Sequence, residues 1–154
     1  RFLDEIEGNG FRLIHLRREN VVLHAFSSFF AVQSNKFHHD RSEEREKIRF
    51  TLDPEEFVRL CRGRYELNIY EENLISNRDV LRLTYENDLL DSKCAEERAL
   101  PAISEFLGIN LEAPEISLSK SVQGVPAEYL TNSEEVHRAL LHSQFADLAY
   151  TIYE

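Results

Sequence analysis

The chain has 154 residues, 42% hydrophobic and 30% charged, with a formal net charge of −10. That composition fits one domain or a large part of one, and no run of about 18 apolar residues marks a membrane span. The negative charge argues against a nucleic-acid partner and against a polyanionic substrate, since the general field repels both; a local arginine can still hold a nucleotide at short range.

The first residues, Arg-Phe-Leu-Asp-Glu-Ile-Glu, lack the charged and apolar regions of a secretory signal. Methionine is absent at the start and everywhere else, which is expected of a processed product or of a segment cut from a longer protein. The two cysteines, Cys61 and Cys94, are far apart and have no Cys-x-x-Cys or zinc-type spacing. They read as reduced thiols of a cytoplasmic protein.

Gly8-Asn9-Gly10 reads as a turn, and the apolar run Leu13, Ile14 and Leu16 that follows predicts a strand over 11–17. The run ends in Arg17 and Arg18. Asn20 then stands as an N-cap before an apolar helix over 21–33, carrying Val21, Val22, Leu23, Ala25, Phe26, Phe29 and Phe30, with Ser27 and Ser28 inside it. In open α/β sheets ligands bind beyond the carboxyl ends of strands, where the next helix begins. An arginine fork there, with a hydroxyl near it, suits a phosphate monoester.

Residues 34–47 are strongly polar and predict an exposed loop or short helix; His38-His39-Asp40 within them reads as solvated rather than metal-binding. Ile48 to Leu52 predicts a short extended piece. Asp53-Pro54-Glu55-Glu56 is a helix start, with a cap, a proline at the first helical position and acids in the first turn. Phe57, Leu60, Cys61, Tyr65, Leu67, Ile69, Tyr70 and Leu74 form its apolar stripe, running to about Ser76.

Val80 to Glu86 predicts a second buried strand, parallel to the first, with the 21–33 helix packed on the sheet they share. Ala95 to Leu107 predicts a helix closed by Gly108, with Pro101 marking a start rather than a kink. Residues 110–128 carry Pro114, Gly124 and Pro126 and read as irregular, with Ser119-Lys120-Ser121 offering a cation and hydroxyls. The tail predicts a helix start at Thr131–Ser133 and an amphipathic helix through Leu140 and Leu141.

These segments together resemble the sulfotransferases that use 3′-phosphoadenosine 5′-phosphosulfate (PAPS). The resemblance is carried by Leu16-Arg17-Arg18-x-Asn20 before an apolar helix with serine, by Tyr85-Glu86-Asn87-Asp88-Leu89, by Phe106-Leu107-Gly108-Ile109, and by the Asn132-x-x-Glu135-Val136 tail. Each motif is weak alone, and their colinearity over nearly the whole chain carries the weight. The resemblance implies an α/β fold of P-loop type, a parallel sheet flanked by helices, with this chain as its C-terminal portion. It implies that Arg18 (or Arg17) and Ser27 (or Ser28) hold the 3′-phosphate of PAPS, with Lys120 returned towards the nucleotide.

The same resemblance requires a glycine- and serine-rich 5′-phosphosulfate loop and a general base, both ahead of the arginine strand. Neither is present in the sequence: Gly8-Asn9-Gly10 precedes the strand, while His15 and His24 read as packing residues. The chain alone is therefore expected to bind without transferring a sulfuryl group. It would need a complementing N-terminal half before acting on a small-molecule, carbohydrate or lipid acceptor, and sheet surface left uncovered by that half is expected to make the chain pair with itself or a partner. The rival readings are a non-catalytic α/β interaction module and, more weakly, a P-loop kinase fragment.

Overall fold

The computed structural model describes residues 2–34, 39–40, 48–112, 118–119 and 124–154. The chain divides into two compact units: Arg1–Glu19 with Asn68–Glu115, and Asn20–Leu67 with Ile116–Glu154. Helix predominates, and the architecture is α/β in the loose sense that a small parallel sheet accompanies the helices.

The first unit opens with a short helix α1 (Phe2–Gly8), which the sequence reading did not foresee. Seven residues are too few for a clear 3.6-residue periodicity. The helix is closed by the turn that was foreseen: Gly10 sits at φ 82°, left-handed backbone that favours glycine, and Phe11 N–H donates back to the Ile6 carbonyl at 3.2 Å. Arg78 fastens α1 from a distance in sequence, bonding Asp4 at 2.6 Å and also Glu7.

Strand β1 (Leu13–Arg17) pairs in parallel with a strand we number β3 (Val80–Thr84), in the register Leu13↔Val80 through Arg17↔Thr84. The predicted strands and their parallel pairing are both present. β3 stops two residues short of the predicted Glu86, and the reason is local. The Thr84 hydroxyl accepts from Asn87 Nδ2 at 2.9 Å, while Asp88 accepts from Thr84 N–H at 2.6 Å. This reciprocal capping turns Tyr85–Asp88 into a helical turn, α4.

Beyond it, α5 (Ser92–Cys94), a π-helical stretch (Ala95–Ala99) and α6 (Leu100–Leu107) follow without a break. Pro101 falls in the first turn of α6, the start it was predicted to mark, although the helical path runs on unbroken from α5 through the π stretch. The π stretch lies directly before the turn where proline's missing N–H would interrupt an ordinary helix. Gly108, at φ 67°, ends the path as expected.

The second unit holds the apolar core. Helix α2 (Val21–Ser34) contributes Val21, Val22, Ala25, Phe26 and Phe30 to it, a spacing that keeps one helical face buried. Asn20 caps α2 as predicted, its Oδ1 accepting from Leu23 N–H at 3.0 Å. Against that face lie Leu52, Phe57, Cys61, Tyr129, Leu130, Val136, Leu140, Phe145, Ala149 and Ile152. Phe30 meets Tyr129 edge-on at 5.0 Å, and Phe29 meets Phe50 at 5.3 Å, so aromatic pairs fill the centre.

Helix α3 (Pro54–Ile75) starts where Asp53 and Pro54 require, with Asp53 Oδ1 accepting from Glu55 and Glu56 N–H at 2.9 Å. Its residues 54–67 belong to the second unit and 68–75 to the first. Of the predicted apolar stripe only Phe57 and Cys61 are buried; Leu60, Tyr65, Leu67, Ile69, Tyr70 and Leu74 are exposed. Periodicity gave the helix but not its covered face.

Within the extended piece predicted over Ile48–Leu52 the structure holds a single strand-type bridge. Phe50 forms a parallel bridge with Leu130, and the side chain of Asn132 continues it, accepting from Leu52 N–H at 3.0 Å and donating to the Leu52 carbonyl at 2.8 Å. A two-residue strand β2 (His39–Asp40) pairs antiparallel with β4 (Leu118–Ser119). His38, most of the polar 34–47 stretch, Pro114 and Lys120 lie outside the described residues. A 3₁₀ turn (Pro126–Tyr129), the predicted amphipathic helix α7 (Ser133–Leu141) and an unforeseen 3₁₀ stretch (Ala146–Ile152) complete the unit.

Candidate nucleotide-binding residues

Arg17 and Arg18 belong to the first unit, Ser27 and Ser28 to the second, and each pair has its own surroundings. Arg17 is the last residue of β1; its guanidinium lies 3.4 Å from Glu19 and 3.8 Å from Glu72. Glu72 is shared: Arg82 Nε donates to it at 2.8 Å, and His15 Nδ1 lies 3.9 Å away. The Arg82 bond, helped by the charges of Arg82, Arg17 and His15, holds the Glu72 carboxyl below its ordinary range.

Arg18 lies over the Tyr85 ring, with its guanidinium carbon 4.3 Å from the centroid, and its Nε is 4.0 Å from Glu86 Oε1. Glu86 Oε2 also accepts from Glu19 N–H at 3.0 Å, and the Arg18 carbonyl accepts from Asn68 Nδ2 at 3.2 Å. Where β1 gives way to the residues before α2, a guanidinium and a backbone N–H thus both face one carboxylate. That turn accommodates an anionic group, and the group present is Glu86.

His15, read from the sequence as a packing residue rather than a catalytic one, is largely covered and also makes polar contacts. Its Nε2 bonds Glu71 at 3.1 Å and its Nδ1 faces Glu72, so both ring nitrogens are turned to carboxylates within the unit. His24 is partly buried on α2.

In the second unit, Ser27 and Ser28 are partly buried on α2. Ser28 Oγ accepts from Arg64 Nη2 at 3.2 Å. Arg64 escaped the sequence reading, although a signal existed. Phe57, Cys61 and Arg64 stand at i, i+4 and i+7 on α3, so the arginine continues the buried face that the two apolar residues define. Cys61 and Cys94 are both unpaired thiols, and burial pushes Cys61 up to about 12.

Among the described residues no cluster of three or more His, Cys, Asp and Glu is arranged to hold a metal ion, and no helix is long and apolar enough to cross a membrane. The class these observations define is a helix-rich α/β chain with an arginine-terminated parallel strand leading into a serine-bearing helix. No protein-family model matches the chain, and neither a curated protein nor a solved structure matches it.

Proposed function

We propose that this chain is the C-terminal, nucleotide-holding portion of a P-loop-type sulfotransferase domain, and that it binds the 3′-phosphate of PAPS. Arg18 (or Arg17) and Ser27 (or Ser28) are the groups assigned to that phosphate, with Lys120 as a further cation. The observation that carries the reading is the order of elements: a parallel strand ending on Arg17, then Arg18, then an Asn20-capped helix with two serines. The parallel partner β3 and the Thr84-capped turn bearing Tyr85 and Glu86 add to it. Two unpaired thiols accord with a reducing, cytoplasmic setting.

In the complete reaction the acceptor hydroxyl or amine attacks sulfur, the bond from sulfur to the phosphate oxygen breaks, and 3′,5′-ADP leaves. The acceptor's proton passes to a base. These residues contribute binding, while rate enhancement needs donors aimed at the transferred group. That task falls to an N-terminal half.

Titration of the full chain with 3′,5′-ADP and 5′-AMP tests the assignment. Arg18→Ala should weaken 3′,5′-ADP by about 1.5–3 kcal/mol, the range for a charge-assisted hydrogen bond, and leave 5′-AMP nearly unchanged. Equal weakening of both would make the arginine structural. That outcome favours the second reading, a non-catalytic interaction module, to which the Tyr85 and Glu86 contacts of Arg18 lend support.

A further inference from the structure

The partly buried arginines of the first unit are matched by acids: Arg17 by Glu19 and Glu72, Arg18 by Glu86, and Arg78 by Asp4 and Glu7. Arg64 is different. It is partly buried as well, yet no carboxylate pairs with it among the described residues, in a chain whose net charge is −10. The other arginines without a carboxylate partner there, Arg49, Arg62, Arg98 and Arg138, are exposed, and Arg49 and Arg98 donate to the carbonyls of Leu130 and Asn87. A guanidinium removed from part of its water and given no counter-charge is an unfavourable arrangement, which an oxyanion from solution would relieve.

The hydrogen bonding of Arg64 indicates what kind of oxyanion fits. A guanidinium carries five donors in a rigid planar fork. Arg64 spends one on Ser28 Oγ, a neutral hydroxyl. Because that hydroxyl accepts from Arg64, its own proton remains to be donated elsewhere. The pair thus presents N–H groups and one O–H, all donors, which suits a ligand that only accepts. A dianionic phosphate monoester, with several terminal oxygens, matches such a set better than a singly charged carboxylate.

We propose that Arg64 and Ser28 form an oxyanion seat in the second unit that binds a phosphate monoester. Identifying that group as the 3′-phosphate of a nucleotide rests on the reading given under Proposed function; the seat itself rests on the surroundings of Arg64. The seat lies wholly in the second unit: it takes Arg64 from the long helix α3, and it selects Ser28 over Ser27 as the hydroxyl in contact.

The full chain is titrated with 3′,5′-ADP, 5′-AMP and inorganic phosphate, as wild type and as Arg64→Ala, Arg64→Lys and Arg18→Ala, with circular dichroism confirming each fold. The expected result is a loss of about tenfold or more in 3′,5′-ADP affinity for Arg64→Ala, with 5′-AMP little changed. Arg64→Lys keeps the charge and stem but not the planar fork, so it should fall between wild type and alanine, and it serves if the alanine variant does not fold. If Arg64→Ala weakens inorganic phosphate and 3′,5′-ADP while Arg18→Ala changes neither, the seat stands and the arginine-strand assignment fails. If Arg18→Ala discriminates between the nucleotides and both Arg64 variants bind as wild type, the seat is overturned and that assignment survives. Wild-type affinity throughout overturns both.

Discussion

The two units of this chain are held together by different physics. Among the described residues of the second, Phe26, Phe57, Leu52, Leu130, Leu140 and Ile152 are fully or almost fully removed from water and packed on one another. Among the described residues of the first, only Ile75, Leu83 and Ala99 are buried to a comparable degree, and beside the β1–β3 pairing its side-chain ties are largely ionic: Arg78 to Asp4 and Glu7, Arg82 to Glu72, and His15 to Glu71. A dense apolar core resists salt and acid, whereas partly solvated ion pairs are weakened by both. The proposed phosphate ligands divide along the same line. Arg17 and Arg18 of the first unit lie near acids, whereas Ser28 of the second accepts from Arg64, a cation with no acid partner among the described residues.

The contrast can be broken most forcefully in the core. Phe26→Ala removes a ring in contact with Phe30, Phe50 and Tyr129, and should cost about 3–5 kcal/mol in chemical denaturation, the range for truncating a buried aromatic. Amide exchange should accelerate throughout the second unit. A cost below about 1 kcal/mol would mean that this cluster is not the core described.

A smaller effect belongs to Asn132. Its amide closes both polar groups of Leu52, whose side chain is buried, so Asn132→Ala strands a donor and an acceptor together. The expected loss is about 1–3 kcal/mol in the same denaturation experiment. Asn132→Asp should be no better at neutral pH, because a carboxylate can accept from Leu52 N–H but cannot donate to its carbonyl. Recovery of wild-type stability in Asn132→Asp would show that water replaces the missing donor.

The smallest effect sharpens the contrast by pH. Glu72 has its carboxyl lowered in the folded chain, so its contribution to stability is present above the ordinary glutamate value of 4.5 and is lost as pH falls below it. Acidification should therefore raise amide exchange in β1, β3 and α1 of the first unit before it affects α2 and α7. Raising salt at neutral pH should act in the same direction. Glu72→Gln should flatten the acid response of the first unit, and an unchanged response would place its pH sensitivity elsewhere.

How much of this was legible in the sequence follows the range of the forces involved. Asn20, Asp53-Pro54 and Gly108 marked element ends correctly, because caps and left-handed turns are settled by a few adjacent residues. Leu13 to Arg17 and Val80 to Thr84 were readable as strands for a similar reason. Helix α1 was missed because its anchor, Arg78, is remote in sequence, and the Glu71 partner of His15 was missed in the same way. The exposed half of the α3 stripe shows the limit of periodicity, which reports that a helix is amphipathic but not what covers it. Arg64 was passed over because a search for apolar positions at helical spacing discards a cation on the same face. That it is partly buried without an acid partner among the described residues appears only in the structure.

The central claim is that the chain recognises a 3′-phosphate, and the most direct measurement is a calorimetric titration of the wild-type chain with 3′,5′-ADP and 5′-AMP side by side. The account predicts that 3′,5′-ADP binds at least about tenfold more tightly, the margin one charge-assisted contact provides. Equal affinities, or no binding of either nucleotide, would contradict it.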